Sequence, residues 1–265
     1  MMCLEIMYLL SDDSLKKIDS SVKQRYENLC LQYLDECCEE LKILDAIILT
    51  DSYETYANYC NENYETFFLE KNFQTYTGCI TYFNNFKNAV LTIFIHNIDE
   101  YELLEQRFVH EFSHLLFHHN IFSNGLVYNG SLPNRFLDEL HSYICEYLYL
   151  INFGKIDNVL HTIKREYEHL NIKKKNSEHF LGNRGTLYPI VKIMASLYLI
   201  NSLDKTIYFK MKRDFISIMG KEMANDLISI VIDLKRFNFK NFSEIEYQNA
   251  IQSLSKLSGM KDGEE

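Results

Sequence analysis

From Ser14 to about Leu44, apolar side chains recur at Leu15, Ile18, Val22, Tyr26, Leu29, Tyr33, Cys37 and Leu41. Steps of three and four put them on one face, so the pattern predicts a helix with one buried side. The period then changes. Asp45–Thr50 (DAIILT) is a short apolar run and predicts a strand, and Asp51-Ser52 caps a helix expected to reach about Tyr59. Gly78–Phe83 (GCITYF) and Ala89–His96 (AVLTIFIH) are rich in β-branched and aromatic residues. With Asn84–Asn88 between them, they predict a β-hairpin with a five-residue loop.

Helical spacing returns after the hairpin. Asp99 and Glu102 have the spacing of a capping box, and the helix they open is expected to run to about His119. Asn120–Ser131, with Gly125 and Gly130, reads as a loop. Pro133 suits the first turn of a helix reaching about Phe153, with Gly154 as its stop. Four or so further helical segments follow, interrupted by the polar, basic stretch Lys173–Thr186. With 9 glycines and 2 prolines in 265 residues, breakers are few and helices should dominate. The expected fold is α+β and mostly helical. A small sheet packs with the helix after the hairpin and with the Pro133 helix, and a helical C-terminal part follows. The expected division is a core over residues 1–154 and a helical subdomain over 155–265.

Composition narrows the function. Apolar residues make up 47% of the chain, a globular proportion. A net charge of −10 argues against nucleic acid or an anionic membrane surface as a partner, since both are bound by basic surface. No apolar run approaches the length of a membrane span, and the first residues, MMCLEIMYLLSDDS, are too short and acidic for a signal peptide. Seven cysteines, an odd number without a CxxC pair, predict reduced thiols rather than disulfides or a cysteine-built zinc site. The expectation is a soluble cytoplasmic protein.

The chemistry concentrates in residues 108–120, FVHEFSHLLFHHN, which hold four of the nine histidines. His110-Glu111-x-x-His114 is an HExxH motif on the expected helix. Residues four apart stand one turn above each other, so both imidazoles can address one ion. Glu111 then projects beside the ion, where a general base for a water belongs. The neighbours Val109, Phe112, Ser113, Leu115 and Leu116 are apolar or small, as on a buried helix rather than a solvated histidine-rich face. His118 and His119 read as the end of the helix, where donor side chains suit exposed carbonyls.

A catalytic zinc site takes a third protein ligand. The extended pattern HExxHxxGxxH does not apply, because Phe117 and Asn120 stand at its last two positions. His118 lies a further turn up the axis. The helix from Pro133 offers Glu139 and Glu146, seven residues apart on one face and about 10 Å apart along the axis, so only one can reach the ion. His141 points off that face, and Asp138 adjoins it.

HEFSH, followed by Glu139-Leu140-His141-Ser142, resembles the gluzincin metallopeptidases, whose second motif is a glutamate followed three residues later by a small residue. The strand, helix and hairpin before the motif are similar to the minimal gluzincin core, including the small ImmA/IrrE-like peptidases. The resemblance covers about residues 45–151 and implies Glu139 as the third zinc ligand. It departs at Tyr143, where many members carry Asp or Asn to orient a zinc histidine. Asp138 or Glu146 is the substitute available.

Gluzincins often supply an oxyanion donor from beyond the glutamate helix. Here the segment from His179 to Tyr188, expected as a glycine-containing loop, holds His179, Arg184 and Tyr188, and Tyr188 is the residue chosen. His96 reads as a strand-end residue. The implied function is zinc-dependent hydrolysis of a protein or peptide, with Glu111 as general base. The rival is a zinc-binding sensor or interaction protein that keeps the fold without turnover, which the residue at Tyr143 favours.

Overall fold

A computed structural model describes residues 5–36, 40–64, 77–83, 87–95, 103–128, 130–174, 184–233 and 243–255. The expected cap at Asp99 and Glu102, the turn residues 84–86, and His96 and His179 lie outside the described residues. The chain forms two compact units, cut between Leu115 and Leu116. The protein is a mostly helical α+β fold.

The first unit is built on a four-stranded sheet. Its strands are β1 (Glu5–Leu9), β2 (Leu44–Thr50), β3 (Gly78–Phe83) and β4 (Asn88–Phe94), in spatial order β1-β2-β4-β3. β1, β2 and β4 run parallel, and β3 pairs antiparallel with β4 as the expected hairpin. The parallel pairs need helical crossovers. α1 (Asp12–Leu15) and α2 (Ser20–Glu36) lie between β1 and β2 in the chain, and α3 (Tyr53–Asn63) between β2 and β3. The apolar runs of β2 and β4 are explained by their central position, where both faces are covered. On one face Ala46, Ile48, Val90 and Phe94 pack with Tyr56 and Cys60 of α3.

Two local details depart from the periodicity. The single helix expected from Ser14 to about Leu44 is instead α1, α2 and a 3-10 turn at Glu40–Ile43, with Leu44 already in β2. Ser11 caps α1, and the Asp19 carboxylate accepts the Ser21 N–H at 2.9 Å to open α2 afresh. Capping side chains outcompete a continuous helix there, although the apolar spacing runs through the break. β1 pairs along its whole length with β2, from Glu5 opposite Ala46 to Leu9 opposite Thr50.

Asp51 ties this corner together. Its carboxylate accepts from the Ser11 hydroxyl at 2.6 Å, the Ser14 hydroxyl at 2.5 Å and the Ser11 N–H at 3.2 Å. Burial raises its pKa, but these hydrogen bonds outweigh burial and hold it below the ordinary carboxylate value. Asp51→Ala is therefore expected to cost about 1 kcal/mol at pH 7, the low end for charged hydrogen bonds because partial exposure screens them. A depressed folded pKa gives stability that is present above the unfolded value of about 3.9 and is lost as pH falls through the folded value. Urea unfolding from pH 7 to pH 3 should show the gap between wild type and variant closing at the acid end.

α4 (Leu104–Ser123) carries the motif and continues past the boundary between the units. It runs four residues beyond His119, because Ile121 is fully buried in register with Phe117 and Gly125, at φ 70°, provides the stop.

The second unit contains the end of α4 with α5 (Leu132–Asn152), α6 (Ile156–Lys174), α7 (Arg184–Leu203), α8 (Lys205–Met219), α9 (Lys221–Asp233) and α10 (Glu244–Ser255). Pro133 lies in the first turn of α5 and Gly154, at φ 72°, ends it, as expected. α7 is apolar over most of its surface, with Val191, Ile193, Met194, Ala195 and Ile200 buried, and packs against α5, α6, α8 and α9. Buried Glu166 of α6 accepts from Lys192 of α7 at 3.2 Å. Tyr247 of α10 donates to Asn134 of α5. No helix among the described residues is long and apolar enough to cross a membrane.

Candidate metal centre

α4 is held on one side by aromatic rings of α2. Tyr26 and Tyr33 meet Phe108 edge-on at 5.9 and 5.7 Å, and Tyr33 meets Phe112 at 5.2 Å. At 100° per residue, His110 and His114 lie about 200° round the helix from that pair. The clamp therefore turns both histidines away from α2. Ser113 lies between these faces and is buried, and its hydroxyl donates to the Val109 carbonyl at 2.6 Å.

The ligating atoms of His110, His114 and Glu139 lie within 4.8 Å of one another, and all three residues are partly buried. The two Nε2 atoms are 3.2 Å apart. Two ligands at about 2.05 Å from a tetrahedral zinc stand about 3.3 Å apart, so this spacing suits a shared ion. Two imidazoles and one carboxylate are also a donor set used by catalytic zinc. The residues present thus fit a metal of this class. Of the two glutamates weighed from spacing, Glu139 belongs to the group and Glu146 does not. Glu146 is buried, at 6% exposure.

Glu111 is 9% exposed. It lies beside the start of β3, where Gly78 leaves room for it. Its charge is felt at Cys79, whose thiol is pushed up first by desolvation and then by that carboxylate. Without a bound metal, Cys79 is therefore held as a thiol. Cys30 and Cys60 are buried, and Cys30, Cys60, Cys79 and Cys145 are all free. Cys3, Cys37 and Cys38 lie outside the described residues.

His118 is not a helix end. It sits within α4, and its Nε2 lies 3.0 Å from Asp138 Oδ2, which also accepts from the Tyr128 hydroxyl at 3.1 Å. His118 is one turn beyond His114, and Asp138 directly precedes Glu139. The His118–Asp138 pair thus fixes the register of α5 against this end of α4, and with it the place of Glu139. Asp138, one of two proposed substitutes for orienting a zinc histidine, is shown here with His118 and Tyr128. His141 is buried against Phe117, and Cys145 Sγ approaches its Nε2 at 3.5 Å.

Tyr188 lies on α7 and not in a loop, and it is 43% exposed. Arg184 opens the same helix. Tyr143 links this region to the ligand set. Burial first, then the charges of Glu139 and Glu146, push its phenol well above the ordinary range, and Tyr188 is close enough to contribute. Tyr143 therefore stays a neutral phenol near the Glu139 carboxylate. Lys192 Nζ sits 5.3 Å from its ring centre. The sequence carried a signal for this, since Tyr143 is one helical turn after Glu139. Gly78 carried none beyond being a glycine at the start of a strand.

Comparison with known families, with curated proteins and with solved structures finds no match to this chain.

Proposed function

We propose that the chain is a zinc-dependent metallopeptidase of the gluzincin type, with His110, His114 and Glu139 as ligands and Glu111 as general base. One observation carries this reading: three side chains of a catalytic-zinc donor set converge, and a carboxylate follows the first of them directly in the chain. Zinc, when bound, supplies a Lewis acid that polarises the scissile carbonyl and acidifies a water. Glu111 accepts the proton of the attacking water and delivers it to the leaving amine. Tyr188 is the proposed donor to the developing oxyanion.

A peptide substrate is supported by the sheet. β3 is the last strand in the order β1-β2-β4-β3, so its outer edge has no strand partner among the described residues. Such an edge offers backbone donors and acceptors to an extended chain. The edge begins at Gly78, beside Glu111, so a peptide aligned on it passes the general base. The net charge of −10 speaks against nucleic acid or a membrane surface as partner. The four described cysteines are free thiols, which supports the proposal of a reducing, cytoplasmic setting.

The test is metal analysis of the purified protein together with hydrolysis of a fluorescent casein, with and without 1,10-phenanthroline. The expected result is about one zinc per chain and turnover that falls by about 10²-fold or more on chelation and returns with zinc. Zinc without turnover would establish the rival reading, a non-catalytic zinc-binding protein, which the tyrosine at 143 favours. A chain that holds no metal would overturn both.

A further inference from the structure

Gly78 is the first residue of β3 and is already paired in the ladder. Glycine in a paired strand position gives up conformational freedom and side-chain packing. The usual compensation, a left-handed backbone, does not apply. Positive φ values occur at Gly125, Gly130, Gly154 and Gly220, and Gly78 is not among them. Its place is regular: it stands opposite Ile93 in the antiparallel ladder, and the ladder continues past it, with the Phe94 N–H donating to the Thr77 carbonyl at 3.0 Å. Any residue can adopt this backbone.

What excludes a side chain is Glu111. A methyl group on Gly78 would lie 2.5 Å from Glu111 Cγ, 2.7 Å from Oε1 and 2.8 Å from Cδ. These are distances at which something must move. By contrast, a methyl group on Gly125, Gly154 or Gly220 meets nothing within 4 Å, so those glycines serve their turns. At Gly78 the atoms in the way are Cγ, Cδ and Oε1 of one side chain, so alanine is accommodated only if the Glu111 side chain turns aside from Cγ outward or the strand shifts.

We propose that Gly78 is a positioning residue for Glu111: the missing side chain at the start of the edge strand is the slot that holds this carboxylate in its working place. The inference rests on the reading of Glu111 as general base. It adds a requirement that the HExxH motif does not contain, namely that residue 78 be glycine. General-base catalysis needs the carboxylate within hydrogen-bond reach of the proton it takes, so a shift of about 1 Å is expected to cost on the order of 10²-fold.

The experiment is a four-protein cycle of wild type, Gly78→Ala, Glu111→Ala and the double variant, with zinc content, steady-state kinetics and urea midpoints for each. Gly78→Ala should keep its zinc and its KM while kcat falls by about 10²-fold. A merely structural role for Gly78 would not separate kcat from KM and metal content in this way. Gly78→Ala should lower the urea midpoint when Glu111 is present, and leave it unchanged or raise it when residue 111 is alanine. A Gly78→Ala protein that fails to fold while the double variant folds demonstrates the same coupling. Full kcat in Gly78→Ala, or an equal loss of urea midpoint in both backgrounds, overturns the inference and leaves the peptidase reading standing. If the wild type shows no turnover, the reading of Glu111 as a base fails, and with it the catalytic part of the inference. The urea cycle then decides the slot by itself.

Discussion

On the proposed mechanism, replacing Glu111 by glutamine is expected to leave the zinc content of the purified protein unchanged and to lower kcat by on the order of 10³-fold. The two side chains have nearly the same shape, so the variant still fits the space beside Gly78, where a methyl group would come within 2.5 Å of Glu111 Cγ. What changes is the chemistry of the end group. A carboxamide is not a base, so under the proposed mechanism the proton of the attacking water would have no acceptor. The ligand set does not include residue 111, so metal content should not follow activity. KM should stay within a few-fold, because an interaction made only in the transition state is lost. Zinc measured by mass spectrometry alongside kcat for a quenched peptide separates the outcomes. Activity within tenfold of wild type removes Glu111 as the base. Loss of zinc together with activity makes it a structural residue of the site instead.

The sequence was most informative where period and chemistry agreed. The hairpin, the DAIILT strand and the α5 helix with Pro133 and Gly154 at its ends appear where patterning and end signals place them. His110, Glu111 and His114 fall within about one helical turn, and Glu139, one of the two glutamates that spacing left open, lies close to the two histidines. The rest turned on contacts between distant residues or on local competition that the apolar spacing hides. β1 is five residues long and is a strand because β2 offers it a parallel edge, which periodicity within the segment does not announce. The break before α2 depends on Asp19 bonding the Ser21 N–H, a local competition hidden under continuous apolar spacing. His118 looked like a helix end because its partner, Asp138, is 20 residues away. Tyr188 looked like a loop residue because Gly182 and Gly185 suggested flexibility, yet helix α7 starts at Arg184. Gly78 shows the limit most clearly, since its meaning lies in a side chain 33 positions along the chain.

Replacing His114 by alanine should remove the metal outright, and with it both turnover and a share of stability. If the chain binds zinc as proposed, the ion would stabilise the folded state by RT ln(1 + [L]/Kd), about 4 kcal/mol at a thousandfold excess over Kd. For a protein of this size that is a rise of about 8–16 °C in the metal-dependent melting step. The chain has two compact units, so the relevant quantity is the transition that moves with zinc, not one overall midpoint. In His114→Ala that movement should vanish, because a histidine and a carboxylate alone do not make a tight zinc site. The same measurement identifies the third ligand. Glu139→Gln should collapse the zinc-dependent shift. Glu146→Gln should keep it, since Glu146 lies outside the converging group although it is buried. Glutamine is the right replacement at both positions because it preserves volume, so a lost shift reports lost coordination and not a cavity. A zinc-dependent shift that survives in His114→Ala would sink the ligand set. A shift that disappears in Glu146→Gln while Glu139→Gln keeps it would move the third ligand two helical turns along α5, and the carboxylate beneath Tyr143 would then need a different role.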